Sequence, residues 1–167
     1  MGLLSPGYGP HGVVAITTDL TSMGDADYVG DTETMVYQLP FIAAPKRIYR
    51  VQIRAGRADA HTEGDQEGEI IRYAKNSMVT RCRWASGPTV TTSGTSLGDY
   101  RVSVFDDNST VSTGLHSSWI LINPPAGQLT VGISIFAGRA AATYGTVRIL
   151  TDGGAYLLVE DIGPYSE

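Results

Sequence analysis

The segment from Gly127 to Pro164, GQLTVGISIFAGRAAATYGTVRILTDGGAYLLVEDIGP, decides the fold. Its first part has an apolar residue at every second position, namely Leu129, Val131, Ile133, Ile135 and Ala137. This spacing is the period of a strand with one buried face. Residues 146–150 and 155–162 follow as two more strands, and the residues between them, TDGG, suit a tight hairpin turn. The segment therefore predicts an antiparallel meander, and its apolar last strand is expected in the middle of a sheet.

The rest of the chain continues the strand pattern. Further strands are predicted at residues 13–18, 35–43, 47–58, 70–74, 78–84, 100–105 and 119–122. Short strands separated by Gly, Pro and Asp are typical of a sandwich or a barrel. We therefore predict an all-β chain, with an extended Gly/Pro-rich arm at residues 1–12 and a single antiparallel β-sandwich domain at residues 13–167.

The composition excludes several classes of function. A chain of 167 residues with net charge −5 and scattered Lys and Arg is not built to neutralise phosphates, which argues against nucleic-acid binding. No window predicts a membrane span and the amino terminus does not read as a secretion signal, so we expect a product made in a cytoplasm. Cys82 lies in an alternating run and is expected to be a buried structural thiol.

The histidines and cysteine show none of the spacings of a zinc site, and we predict no metal, no cofactor and no catalytic residue. The acidic loop 19–33 has enough carboxylates for calcium, but its spacing does not fit a calcium-binding loop, so a solvated loop is predicted. A hydrolase would need two carboxylates at catalytic separation. Asp99, Asp106 and Asp107 are the nearest candidates, and we interpret them as turn residues.

Six residues are candidates for contact with a partner. Arg50 and Arg54 share the outward face of strand 47–58, where they meet either solvent or an acidic partner. The others are aromatic residues in or near loops, which either form core edges or anchor an interface or a sugar. The full set is Tyr8, Arg50, Arg54, Trp119, Tyr144 and Tyr165.

Three phrases of the sequence resemble a family of small virion proteins from tailed phages of actinobacteria. The ending GGAYLLVEDIGP, with the meander before it, looks like the family's carboxyl-terminal signature. The opening LLSPGYG is similar to the family's amino termini, and RIYRVQIR at residues 47–54 resembles its early strand. Residues 56–125 match only by pattern.

The resemblance implies a β-sandwich of jelly-roll type, broadly similar to the trimeric modules of C1q and tumour necrosis factor. It implies a non-enzymatic part of the virion, a minor tail protein or another external piece, with other virion proteins as partners and no catalytic residues. A homotrimer is expected, because an apolar sheet face left open in one protomer is readily buried in a symmetric oligomer. The alternatives are a capsid decoration protein, or a host-recognition module whose loops 19–33, 61–69 and 86–98 gather at one end of the sandwich and bind a glycan.

Overall fold

A computed structural model describes residues 11–24, 27–61, 75–105, 113–138 and 146–166. Every regular element in these ranges is a strand. The strands are β1 (Gly12–Thr17), β2 (Thr34–Ala43), β3 (Arg47–His61), β4 (Lys75–Ser86), β5 (Thr95–Phe105), β6 (Thr113–Ile122), β7 (Gly127–Ala137), β8 (Thr146–Leu150) and β9 (Tyr156–Pro164).

The strands form two antiparallel sheets. The first sheet has the order β1-β9-β3-β6, with β8 also paired to β3, and the second has the order β2-β7-β4-β5. The pairs β1–β9, β2–β7, β3–β6 and β4–β5 are nested, as in one long hairpin wound into two sheets. This is the connectivity of a jelly roll, so the predicted β-sandwich is confirmed. The prediction for the last strand is also confirmed, because β9 lies between β1 and β3.

The core fills the space between the two sheets. The apolar residues of β7 face this core, as the sequence predicted, together with Val51, Ile53, Leu157 and Val159 of the first sheet. The prediction that β7 has a single buried face is wrong, because residues 129–135 are all buried and the loop at residues 87–94 and Glu33 cover its other face. Cys82 is buried in the core, which agrees with the prediction, and burial raises the pKa of its thiol. A thiol in this environment stays protonated and has a structural role.

The loop between β1 and β2 is less solvated than the sequence predicted. Leu20, Met23 and Val29 are buried in it, since their apolar side chains join the core cluster. The backbone of Val29 exchanges two hydrogen bonds of 2.8 Å with Val147 on β8. The loop is therefore anchored to the first sheet through its few apolar residues.

The prediction that three loops gather at one end of the sandwich is wrong. Thr34, just after the first loop, pairs with Ile135 at the far end of β7, whereas Ser86, just before the third, pairs with Leu129 near the start of β7. The third loop is also shorter than predicted, because β5 already begins at Thr95. Antiparallel pairing along β7 therefore places these loops at opposite ends.

Some predictions fall outside the described residues. These are the arm at residues 1–10, the loop after residue 61, the strand at 70–74 and the turn containing Asp106 and Asp107.

Candidate functional site

The outer face of the second sheet carries a network of charged side chains. Glu33 accepts hydrogen bonds from Arg81 Nη1 at 2.6 Å, from Arg83 Nε at 2.6 Å and from Ser134 Oγ at 2.6 Å. Arg81 also pairs with Asp99 on β5 and lies 5.2 Å from the centre of the Phe136 ring. These contacts hold β4, β5, β7 and the start of β2 together across one face, so its polar groups are already paired.

The same face is partly covered by the chain itself. The loop at residues 87–94 folds back over β7, and Thr130 Oγ1 donates to the Gly87 carbonyl at 2.7 Å. Val90 is 2% exposed because it packs over Gly132, where an added Cβ would lie 2.5 Å from Val90 Cγ1. The loop that the sequence offered as a recognition loop therefore closes the surface of its own sheet.

Glu33 makes the stability of the fold dependent on pH. Hydrogen bonds from Arg83 and Ser134, opposed by desolvation, lower the pKa of Glu33 from 4.5 to about 2. This contribution to the free energy of unfolding is fully present above about pH 4.5 and is lost as the pH falls towards 2. We expect Glu33→Gln to destabilise the protein at pH 7 and to differ little from the wild type at pH 2. Urea unfolding across this range measures the difference, and the exposed Asp31→Asn is the control; a constant difference would contradict the argument.

The outer face of the first sheet differs, because it exposes large apolar side chains at both of its edges. Its register aligns Val13, Glu160, Arg50 and Ile120 in one row across β1, β9, β3 and β6. The next row contains Ile16, Leu158, Gln52 and Ser118. Ile48 and Ile122 form a third pair beyond the first row. Val13 and Ile16 are each 54% exposed, Ile120 is 46% exposed and Ile122 is 58% exposed, so both edges of the face present large apolar side chains to solvent.

One ion pair lies within these apolar rows. Arg50 Nε is 3.2 Å from Glu160 Oε2, and both side chains are partly exposed. Arg54 lies four residues further along β3 and is exposed. It pairs in register with His116 on β6 and with Tyr156 on β9. The two arginines thus share the outward face that the sequence predicted. Arg50 lies at ion-pair distance from Glu160, whereas Arg54 lies between His116 and Tyr156.

The aromatic candidates lie elsewhere. Trp119 points into the core at 4% exposed, where its Nε1 donates to the Gly98 carbonyl at 3.0 Å and its ring meets Tyr100 edge to face. Its ring is therefore not available to a partner. β6 begins at Thr113, and the alternation of side chains along it places Trp119 on the buried face. Tyr165 is half-buried after β9, with its N–H bonded to the Lys46 carbonyl. Tyr8 and Tyr144 lie outside the described residues.

The apolar residues of this outer face were not predicted, although the sequence contains continuous apolar runs that indicate them. An antiparallel strand with one wet face alternates apolar and polar residues, whereas a continuous apolar run indicates two buried faces. The runs VVAI at residues 13–16, WILI at 119–122 and YLL at 156–158 are continuous. They occur on β1, β6 and β9, which all belong to the first sheet.

The metal and carboxylate sites weighed from the sequence concern His, Cys, Asp and Glu side chains. No three His, Cys, Asp or Glu side chains in the described ranges are placed to hold a metal ion. Asp99 lies on β5 and not in a turn, and its hydrogen bonds with Arg81 lower the pKa of its carboxyl. Such a carboxylate is held ionised and is a poor general acid. In the described ranges we find no helix long and apolar enough to cross a membrane.

Two solved structures align with this chain at low similarity. An insecticidal delta-endotoxin from Bacillus thuringiensis aligns with 77% of this chain and 18% of its own, at 13% identity and a TM-score of 0.40. The enzymatically active domain of tailspike protein 4 from bacteriophage CBA120 aligns with 92% of this chain and 19% of its own, at 12% identity and a TM-score of 0.35. The chain thus spans less than a fifth of either structure's length.

Among curated proteins, none matches the sequence. A family model does match, and it covers residues 1–167. The chain therefore belongs to the family described as Domain of unknown function (DUF7298).

Proposed function

We propose that this protein is a non-enzymatic structural component of a tailed-phage virion, either a minor tail protein or another external piece, and that it works by assembling. The observation that carries the proposal is the outer face of the first sheet. Large apolar patches on a soluble domain mark surfaces that meet another protein. Val13 and Ile16 at one edge of this face, and Ile120 and Ile122 at the other, expose large apolar side chains of this kind.

The placement in a virion is supported by the resemblance of the amino- and carboxyl-terminal phrases to small phage virion proteins. That resemblance also supports a homotrimer, other virion proteins as partners and synthesis in the cytoplasm of the bacterial host. The confirmed jelly roll is compatible with it, since this architecture recurs in viral structural domains. A fold by itself does not assign a function, so the proposal depends on the exposed face and on the terminal phrases together.

The direct test locates the protein in particles of a phage that encodes it. We expect mass spectrometry of purified virions to detect the chain, and gold-labelled antibodies to mark a defined external structure. Label on the tail would identify a minor tail protein, whereas label over the head would identify a capsid decoration protein. Particles that lack the chain, beside infected cells that contain it, would contradict the proposal.

A further inference from the structure

The two sheets of this protein differ in what already covers them. The second sheet has Val90 packed on its outer face and its charged groups joined through Glu33. Among the described residues, no comparable segment covers the outer face of the first sheet, where Ile120 and Ile122 remain about half exposed. The face that the described residues leave uncovered is therefore the one on β1, β9, β3 and β6.

The charges on this face restrict what can cover it. The whole chain has a net charge of −5. The apolar rows, however, contain one positive and one negative side chain, Arg50 and Glu160, which lie within ion-pair distance. This part of the surface is thus neutral, and an identical surface can approach it without the repulsion that the net charge would otherwise impose. Arg54, which is exposed two rows away on β3, adds a single positive charge to the same face.

The Arg50 guanidinium also has capacity for a further contact. Its Nε is shielded from solvent and has no partner in hydrogen-bond geometry within the described part of the chain, although Glu160 lies 3.2 Å away. The side chain as a whole is 41% exposed, so a carboxylate on a covering surface can approach the guanidinium beside the shielded Nε. A charge-assisted hydrogen bond is stronger than a neutral one. Glu160 on an identical face is one carboxylate positioned in the same apolar surroundings.

We propose that a second copy of this chain covers the outer face of the first sheet, so that the apolar edge formed by Val13 and Ile16 meets the edge formed by Ile120 and Ile122 of its neighbour. Arg50 of one copy then lies beside Glu160 of the other, so the contact brings charges of opposite sign together. The inference rests on the proposed function, because it names the partner through which the protein assembles.

Substitution of one exposed isoleucine tests this interface. We expect the full-length wild-type protein to be an oligomer by light scattering at low micromolar concentration. Ile120→Lys should raise the apparent dissociation constant of the oligomer at least about ten-fold, since a buried Lys would lie beside Arg50 without a counter-charge. Ile42→Lys is the matched control, because Ile42 is 70% exposed on the outer face of the other sheet. It should leave the mass unchanged.

Charge reversal provides a second test that does not depend on apolar contacts. Arg50→Glu places two carboxylates in the apolar rows and should weaken assembly, whereas Arg50→Glu with Glu160→Arg should restore it. Circular dichroism and melting temperature establish that each variant is folded. A monomeric wild type, an Ile120→Lys variant of wild-type mass or an Ile42→Lys variant that dissociates would overturn the inference. The two proposals can be refuted separately. If virions contain the chain but Ile120→Lys still assembles, this interface alone is refuted. If virions lack the chain, the proposed function alone is refuted.

Discussion

Replacing Gly56 by alanine is expected to destabilise this protein by about 3 kcal/mol or more, because the added methyl group meets backbone that has no room to move. A Cβ at this position would lie 1.6 Å from the carbonyl oxygen of Asp152 and 2.7 Å from its carbonyl carbon. Asp152 belongs to the turn between β8 and β9, which packs on β3 where β3 leaves β9 and begins to pair with β8. The substitution would separate the turn from the strand.

Gly114→Ala is the matched control for this prediction. Gly114 lies on β6, the strand that neighbours β3, and a Cβ there would find its nearest atom 3.7 Å away at the Gly56 carbonyl oxygen. That distance is an ordinary van der Waals contact, so the change in the free energy of unfolding should stay within about 0.5 kcal/mol. Urea unfolding of both variants at neutral pH measures the difference. Equal stability of the two variants would show that the turn can move away at little cost.

The sequence could predict the strands because each follows from local periodicity. The two strands of the carboxyl-terminal meander that border the turn end within about two residues of the predicted positions, and the predicted break before Arg47 is also present. Periodicity identifies a face but not the neighbour that covers it. Arg50 and Arg54 were therefore correctly placed on an outward face, while the apolar rows around Arg50 became visible only once β1, β9 and β6 were aligned beside β3.

Long-range pairing also explains the positions that sequence reasoning misjudged. Glu33 was grouped with a solvated acidic loop, since nothing local indicates that Arg81, Arg83 and Ser134 come to it from distant strands. Trp119 looked like a residue near the start of a strand. The strand in fact begins six residues earlier, at Thr113, and its alternation places Trp119 inside the sandwich.

A further long-range contact, between Arg47 and Asp161, joins the start of β3 to the end of β9. Arg47 Nε is 2.8 Å from Asp161 Oδ2 and Arg47 Nη2 is 2.6 Å from Asp161 Oδ1. The two side chains are 5% and 1% exposed. The same carboxylate accepts a hydrogen bond from the Gly163 N–H at 3.1 Å, and His11 Nδ1 lies 3.2 Å from it, beside the start of β1. Asp161 thus connects three neighbouring segments of the first sheet, and its contact with Arg47 is fully buried.

Asp161→Asn is therefore expected to cost about 3–5 kcal/mol of stability, because it keeps the shape of the side chain but removes the negative charge that faces the buried Arg47 guanidinium. Arg47→Met with Asp161→Leu removes both charges together, so the double variant should lose less stability than the sum of the losses in the two single variants.

Asp152→Asn is the control, since it breaks the exposed pair with Arg57 and should cost no more than about 1 kcal/mol. Urea unfolding of these five variants, the single variants Arg47→Met and Asp161→Leu included, and of the wild type at neutral pH measures these differences. If Asp161→Asn were no more costly than Asp152→Asn, the buried pair would be unimportant for holding β3 to β9. The backbone pairing of the two strands and their apolar contacts, such as that of Val51 with Val159, would then be sufficient.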